Sequence, residues 1–281
     1  MGPRSGTTAH GRSLSLVNKR NTLDGLTAVR FFAAFWVFIF HFHLRLPLHL
    51  PWPAVRVIEN GALAMPVFFM LSGLVLAYSY REKYEGFSQF CRARVARIYP
   101  AYFLGVLVCI PFLQFIPTFD AATAFFVAPV DLLLLQAWYP NLWGFWHHVG
   151  TWSVSVEFFL YASFPLLIAL KGLSSRALVL CCLACVLLAS SWIPSLRVGV
   201  SSDLPFAVFY STPIYSLPTF ALGVSLAELH RRGFGGTGFA PVLLLAVLAR
   251  GSRAVQRAIC GPEFRHTSSD RTYAVVRGKI P

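Results

Sequence analysis

The chain has 281 residues, 56% of them hydrophobic and 12% charged, with a mean hydropathy of +0.62. A soluble domain carries about 25% charged residues, so the composition excludes a water-soluble enzyme and predicts an all-α, polytopic helical membrane protein. The net charge of +13 would suggest nucleic acid in a soluble chain. Here Lys and Arg cluster in short loops, as membrane topology requires, with an anionic substrate at one loop as a second reason and no nucleic-acid partner expected.

Residues 1–22 are polar and basic (Arg4, Arg12, Lys19, Arg20). The apolar run behind them lacks a small-residue cleavage site, so they read as a cytoplasmic leader that fixes the N-terminus inside. Candidate spans follow at 29–44, 61–79, 99–117, 153–170, 177–193, 206–228 and a short 239–249, with a doubtful segment at 121–138. That makes seven crossings, or eight if the doubtful segment crosses.

The first span, TAVRFFAAFWVFIFHFH, carries Arg30 and His41. Ionisable groups inside a membrane helix are expensive and mark function. Eleven residues is nearly three whole turns, so both side chains leave one face of the helix, about 16 Å apart along its axis. The second span contains Ser72-Gly73, which removes bulk in mid-helix and lets a neighbour approach. The loop FCRARVARIYPAYF follows. Arg94 and Arg97 are three apart and share a helical face, with Arg92 nearby. Guanidinium forks hold phosphates bidentately, and those phosphates belong either to a substrate or to lipid headgroups. Tyr99-Pro100 is expected to open the third helix, with proline in its first turn.

Pro129 and Asp131 interrupt the run at 121–138, which reads as a re-entrant or interfacial piece. His147 and His148, with Trp143, Trp146 and Trp152, then form an aromatic belt on the outer side. In GTWSVSVEFFLYASFP, Thr151 or Ser153 is the candidate helix cap. Glu157 falls about a turn inside, with Tyr161 on the same face. Glu157 reads either as the partner of an arginine such as Arg30 or as a member of the reacting group. Cys182-x-x-Cys185 lies within VLCCLACVLL and reads as small apolar packing, with no metal site expected. STPIYSLPTFALGVSLAE is expected to break near Pro213 and Pro218 and line a cavity. Gly233, Gly235 and Gly238 form a flexible loop without the strand a nucleotide fingerprint needs. Beyond residue 249 the chain turns polar and arginine-rich. That end reads either as a solvated tail or, because 239–249 is too short to span, as a natural chain cut or shifted in frame. The domain reading is therefore leader 1–22, membrane domain 23–249 and tail 250–281.

Five pieces in order, LDGLTAVRFFAAFWVFIFHFH, VFFMLSGLVLAY, FCRARVARIYPAY, TWSVSVEFFLYASFP and PIYSLPTFALG, resemble acyltransferase family 3, over about residues 22–228. The resemblance implies a bacterial inner-membrane O-acyltransferase of about ten spanning helices. It would move an acyl group, often acetyl, from cytoplasmic acyl-coenzyme A to a hydroxyl, commonly of a cell-surface glycan, with no tightly bound cofactor. By position it assigns the first-helix pair to Arg30 and His41, the basic motif to Arg94 and Arg97, and the acidic residue to Glu157. His41 is then the expected base, since imidazole titrates near neutrality. Arg30 and Glu157 complete the catalytic set, and Arg92, Arg94, Arg97, Ser72, Trp152, Ser153 and Tyr161 contact substrate. The alternative from another class is a transporter or flippase of glycan or lipid intermediates, which also needs intramembrane charge and broken helices.

Overall fold

The computed structural model describes residues 25–26, 28–43, 46–80, 82–109, 111, 121–139, 151–191, 208 and 210–234. The basic leader, Arg81, Trp143, Trp146, His147, His148, Gly235, Gly238, the run at 239–249 and the tail lie outside the described residues. Every described element is helical. In chain order these are α1 (Ala28–His43), α2 (Trp52–Glu59), a 3-10 turn (Gly61–Leu63), α3 (Ala64–Tyr80) and α4 (Phe87–Cys109). They continue with α5 (Ala121–Leu132), a 3-10 turn (Gln136–Trp138), α6 (Trp152–Leu167) with a 3-10 extension (Ile168–Gly172), α7 (Ser175–Ser191) and α8 (Pro213–Arg231). Two helical runs, Trp52–Tyr80 and Trp152–Gly172, are long and apolar enough to cross a membrane, and Ala28–His43 and Ser175–Ala189 are shorter apolar helices.

Helix α8 is the axis of the bundle. It packs on α3, α6 and α7, and Thr219 through Leu229 are all buried. Small residues make this possible. A Cβ on Gly223 would strike the Met70 carbonyl and the Leu74 amide, and one on Gly73 would strike the Phe220 carbonyl. The α3 and α8 backbones therefore touch across a glycine pair, the close approach that small residues permit. The Ser72-Gly73 step has the neighbour its sequence invites. Phe164 of α6 fills the space below, stacked on Phe90 of α4 at 5.3 Å and edge-on to Phe220 at 6.5 Å. Cys182 and Cys185 are free thiols buried with Leu178 against Leu222 and Leu226.

Three local expectations are corrected. Helix α4 runs unbroken through Pro100, so the basic stretch and the apolar stretch form one rod. Proline forfeits one ladder hydrogen bond, at a cost of about 3 kcal/mol, which the contacts of both halves offset. Pro218 likewise sits inside α8. The only break there is at Thr212, whose extended backbone (ψ 127°) precedes Pro213 at the first helical position, where proline is tolerated. Thr151 occupies the cap position of α6 but makes no side-chain cap hydrogen bond. At 12 residues, α5 is about 18 Å long. That is shorter than a hydrocarbon core of about 30 Å.

Candidate active site

Helix α1 lies against α3. Phe40 meets Gly61 just ahead of α3 and Arg30 reaches Ser72 within it, so the pairing runs antiparallel along α3, while Trp36 Nε1 donates to the Val57 carbonyl of α2 at 2.7 Å. Helix α6 runs the opposite way to α1. Its start, Trp152, packs against Tyr210 with the rings tilted and 4.9 Å apart, and the Tyr210 hydroxyl donates to the Ala62 carbonyl at 2.8 Å. Two levels result. His41 stands at the level of Phe40, Ala62, Tyr210 and Trp152. Arg30 stands at the level of Ser72, Tyr161 and Glu157. The nine steps from Trp152 to Tyr161 span about 13 Å, close to the offset of Arg30 and His41.

At the second level four side chains form a directed chain. Arg30 Nη2 donates to Ser72 Oγ at 3.1 Å. The Ser72 hydroxyl bonds to the Tyr161 hydroxyl, which donates to Glu157 Oε1. Arginine can only donate and a carboxylate can only accept, so the two hydroxyls between them are held in a single orientation. Ser72 and Tyr161 are buried, and Arg30 and Glu157 half-buried. Glu157 is therefore tied to Arg30 through two neutral hydroxyls. It sits at Arg30's level, not His41's.

Arg94 closes this level from α4. Its guanidinium stands over the rings of Tyr80, Phe90 and Tyr161 at 4.9, 5.8 and 5.9 Å, and Nη2 donates to the Tyr80 hydroxyl at 2.5 Å. Such stacking suits a planar, weakly hydrated cation. Its Nε is buried with no hydrogen-bond partner among the described residues. Arg92 and Arg97 are exposed. The expected pair thus divides, with Arg94 turned to the bundle and Arg97 to its surroundings.

His41 is half-buried, its ring edge-on to Phe40 at 5.3 Å. Ser153 is half-buried in the first turn of α6, and Trp152 is buried. Sequence reasoning missed Tyr80, Tyr210 and Gly223. Tyr80 lies 14 positions before Arg94, and Tyr210 meets Ala62 across 148 positions, so neither carries a local signal. Gly223 stands in FALG as an ordinary small residue until Gly73 is seen opposite it.

The family model described as an acyltransferase domain, that of acyltransferase family 3, matches residues 23–251. A curated relative, Acyltransferase MdmB of Streptomyces mycarofaciens, is 31% identical over 249 residues. The match covers 82% of this chain, and the chain spans 63% of that relative's length. No solved structure matches the chain.

Proposed function

This chain belongs to acyltransferase family 3, and from that membership we propose that it is a membrane-bound O-acyltransferase. It takes an acyl group, acetyl in the first instance, from cytoplasmic acyl-coenzyme A and places it on a hydroxyl of a cell-surface carbohydrate. We further propose seven or eight spanning helices of a family set of about ten, in a bacterial inner membrane with the N-terminus in the cytoplasm.

The observation that carries this reading is the hydrogen-bonded chain from Arg30 through Ser72 and Tyr161 to Glu157, capped by Arg94 and sharing one face of α1 with His41. Acyl transfer from a thioester needs a base for the acceptor and positive charge for the donor. The guanidinium level receives the anionic end of the donor. The offset of about 16 Å to His41 accommodates its extended arm. His41 removes the acceptor hydroxyl proton as that oxygen adds to the thioester carbonyl. The adduct collapses, the carbon–sulfur bond breaks, and the leaving thiolate regains the proton from the imidazolium, so His41 ends neutral.

Full-chain protein in liposomes, given labelled acetyl-coenzyme A and carbohydrate acceptors, tests the reading. Acceptor-dependent loss of thioester is expected. His41→Ala should reduce transfer to background while insertion and folding persist, and transfer at the wild-type rate by that variant removes the base.

A further inference from the structure

Where α5 ends, the chain turns sharply and brings several oxygens together. Leu134 adopts φ 57°, the only positive φ at a non-glycine position among the described residues. The turn folds Gln136 back toward Tyr102 of α4 and Thr151 at the head of α6. Asp131 and Thr151 are each 8% exposed and Gln136 only 1%, so all three side chains are more than nine-tenths buried. The Tyr102 hydroxyl hydrogen and both Gln136 amide hydrogens are committed. The Tyr102 hydroxyl donates to the Asp131 backbone carbonyl at 2.9 Å. Gln136 Nε2 donates to the Thr151 carbonyl at 3.0 Å and to the Tyr102 oxygen at 3.4 Å.

Oxygens are left over. Asp131 Oδ1, Gln136 Oε1 and Thr151 Oγ1 are buried with no hydrogen-bond partner among the described residues. Tyr102 and Thr151 stand beside the Asp131 carboxyl, but neither closes a well-formed bond to Oδ1. The carboxylate also lies in the last turn of α5, at the negative end of the helix dipole. Ion pairs among the described residues use Glu82 and Glu228, and none uses Asp131. A carboxylate, an amide oxygen and a hydroxyl are therefore buried around one turn, and Asp131 has no ion-pair partner among the described residues. A buried charge left unpaired costs several kcal/mol.

We propose that the Asp131–Gln136–Thr151 node binds a sodium ion. Oxygen-only ligands suit a hard cation and not a transition metal. One carboxylate balances one positive charge, and no group of three or more His, Cys, Asp or Glu side chains occurs among the described residues to hold a more highly charged ion. Helix C-terminal ends and unwound backbone at membrane depth hold sodium elsewhere for the same electrostatic reason. The ion ties the end of α5 and the turn behind it to the head of α6. The proposal does not depend on the acyl-transfer reading.

The test is thermal unfolding of the full chain in detergent, followed by tryptophan fluorescence. Sodium chloride replaces choline chloride at fixed ionic strength and pH. Binding to the folded state raises the midpoint logarithmically once sodium exceeds its dissociation constant, by about 5 °C at about a hundredfold excess. Asp131→Asn, which keeps the shape and removes the charge, should abolish that rise. Thr151→Val, which removes one oxygen, should move the sodium concentration at which the rise begins about tenfold upward. A wild-type midpoint indifferent to sodium overturns the proposal in favour of a buried water. A midpoint that follows pH and not sodium overturns it in favour of a proton. A full sodium response in Asp131→Asn, or an unshifted onset of the rise in Thr151→Val, places the ion elsewhere and also overturns it.

Discussion

Tyr161 has one hydroxyl, which serves Ser72 on one side and Glu157 on the other. The ring also lies beneath the Arg94 guanidinium at 5.9 Å. Tyr161→Phe keeps the ring and its packing but cuts the only described link between Arg30 and Glu157. Glu157 then loses its donor in a partly desolvated place, where an unsatisfied charged group is costly. The expected result is a fall in acyl transfer on the order of 100-fold, with the unfolding midpoint within a few degrees of wild type, read by labelled-acetyl transfer and tryptophan fluorescence. Unchanged turnover would separate the chain from the chemistry. Part of this site is legible in the sequence. Glu157 and Tyr161 are four apart on an apolar helix, and that spacing alone makes them neighbours. The bond from Arg30 to Ser72 joins residues 42 positions apart, and helical periodicity holds nothing that sets such a register. Asp131 stands out as an interruption, but the role of Gln136 depends on a left-handed Leu134 that leucine itself gives no reason to expect.

Helices are the best-read level of this protein, because long apolar runs must satisfy their backbones internally. Prolines mislead at this level. Pro100 and Pro218 each look like an end, and each lies inside a helix that continues past it. Local propensity opposes both positions, and packing over the rest of each helix outweighs it. The glycine contact between α3 and α8 makes a sharper claim. Gly223→Leu forces a side chain against the Met70 carbonyl and the Leu74 amide. Backbone cannot rotate away as a side chain can, so overpacking should cost about 3 kcal/mol or more and lower the midpoint by several degrees. Gly105→Ala, at a position with nothing within 4 Å, should leave the midpoint unchanged or slightly raised. Equal midpoints for the two variants would mean that α3 and α8 are not in backbone contact.

Across the whole molecule, large apolar side chains face outward on several helices, among them Phe31 and Phe32 of α1, Leu104 of α4, Leu166 of α6 and Leu180 of α7. A soluble protein seldom exposes so much contiguous apolar surface, and a bilayer covers it without further partners. The basic residues after the second, fourth and sixth expected spans carry the expectation that those loops share one side. Reporter fusions at residues 145 and 174 should therefore report the outer side and the cytoplasm, respectively. A cytoplasmic signal at 145 would invert the later helices. Loop charge gives an expectation of sidedness, whereas the packing order of the helices has no signal in the sequence, since helix neighbours in space are often far apart in the chain.

The spacing of Arg30 and His41 has a mechanical corollary. Both are bolted to one stiff rod, separated by almost three complete revolutions. A roll of that rod about its own long axis swings guanidinium and imidazole through the same arc, so they engage or disengage as a single unit.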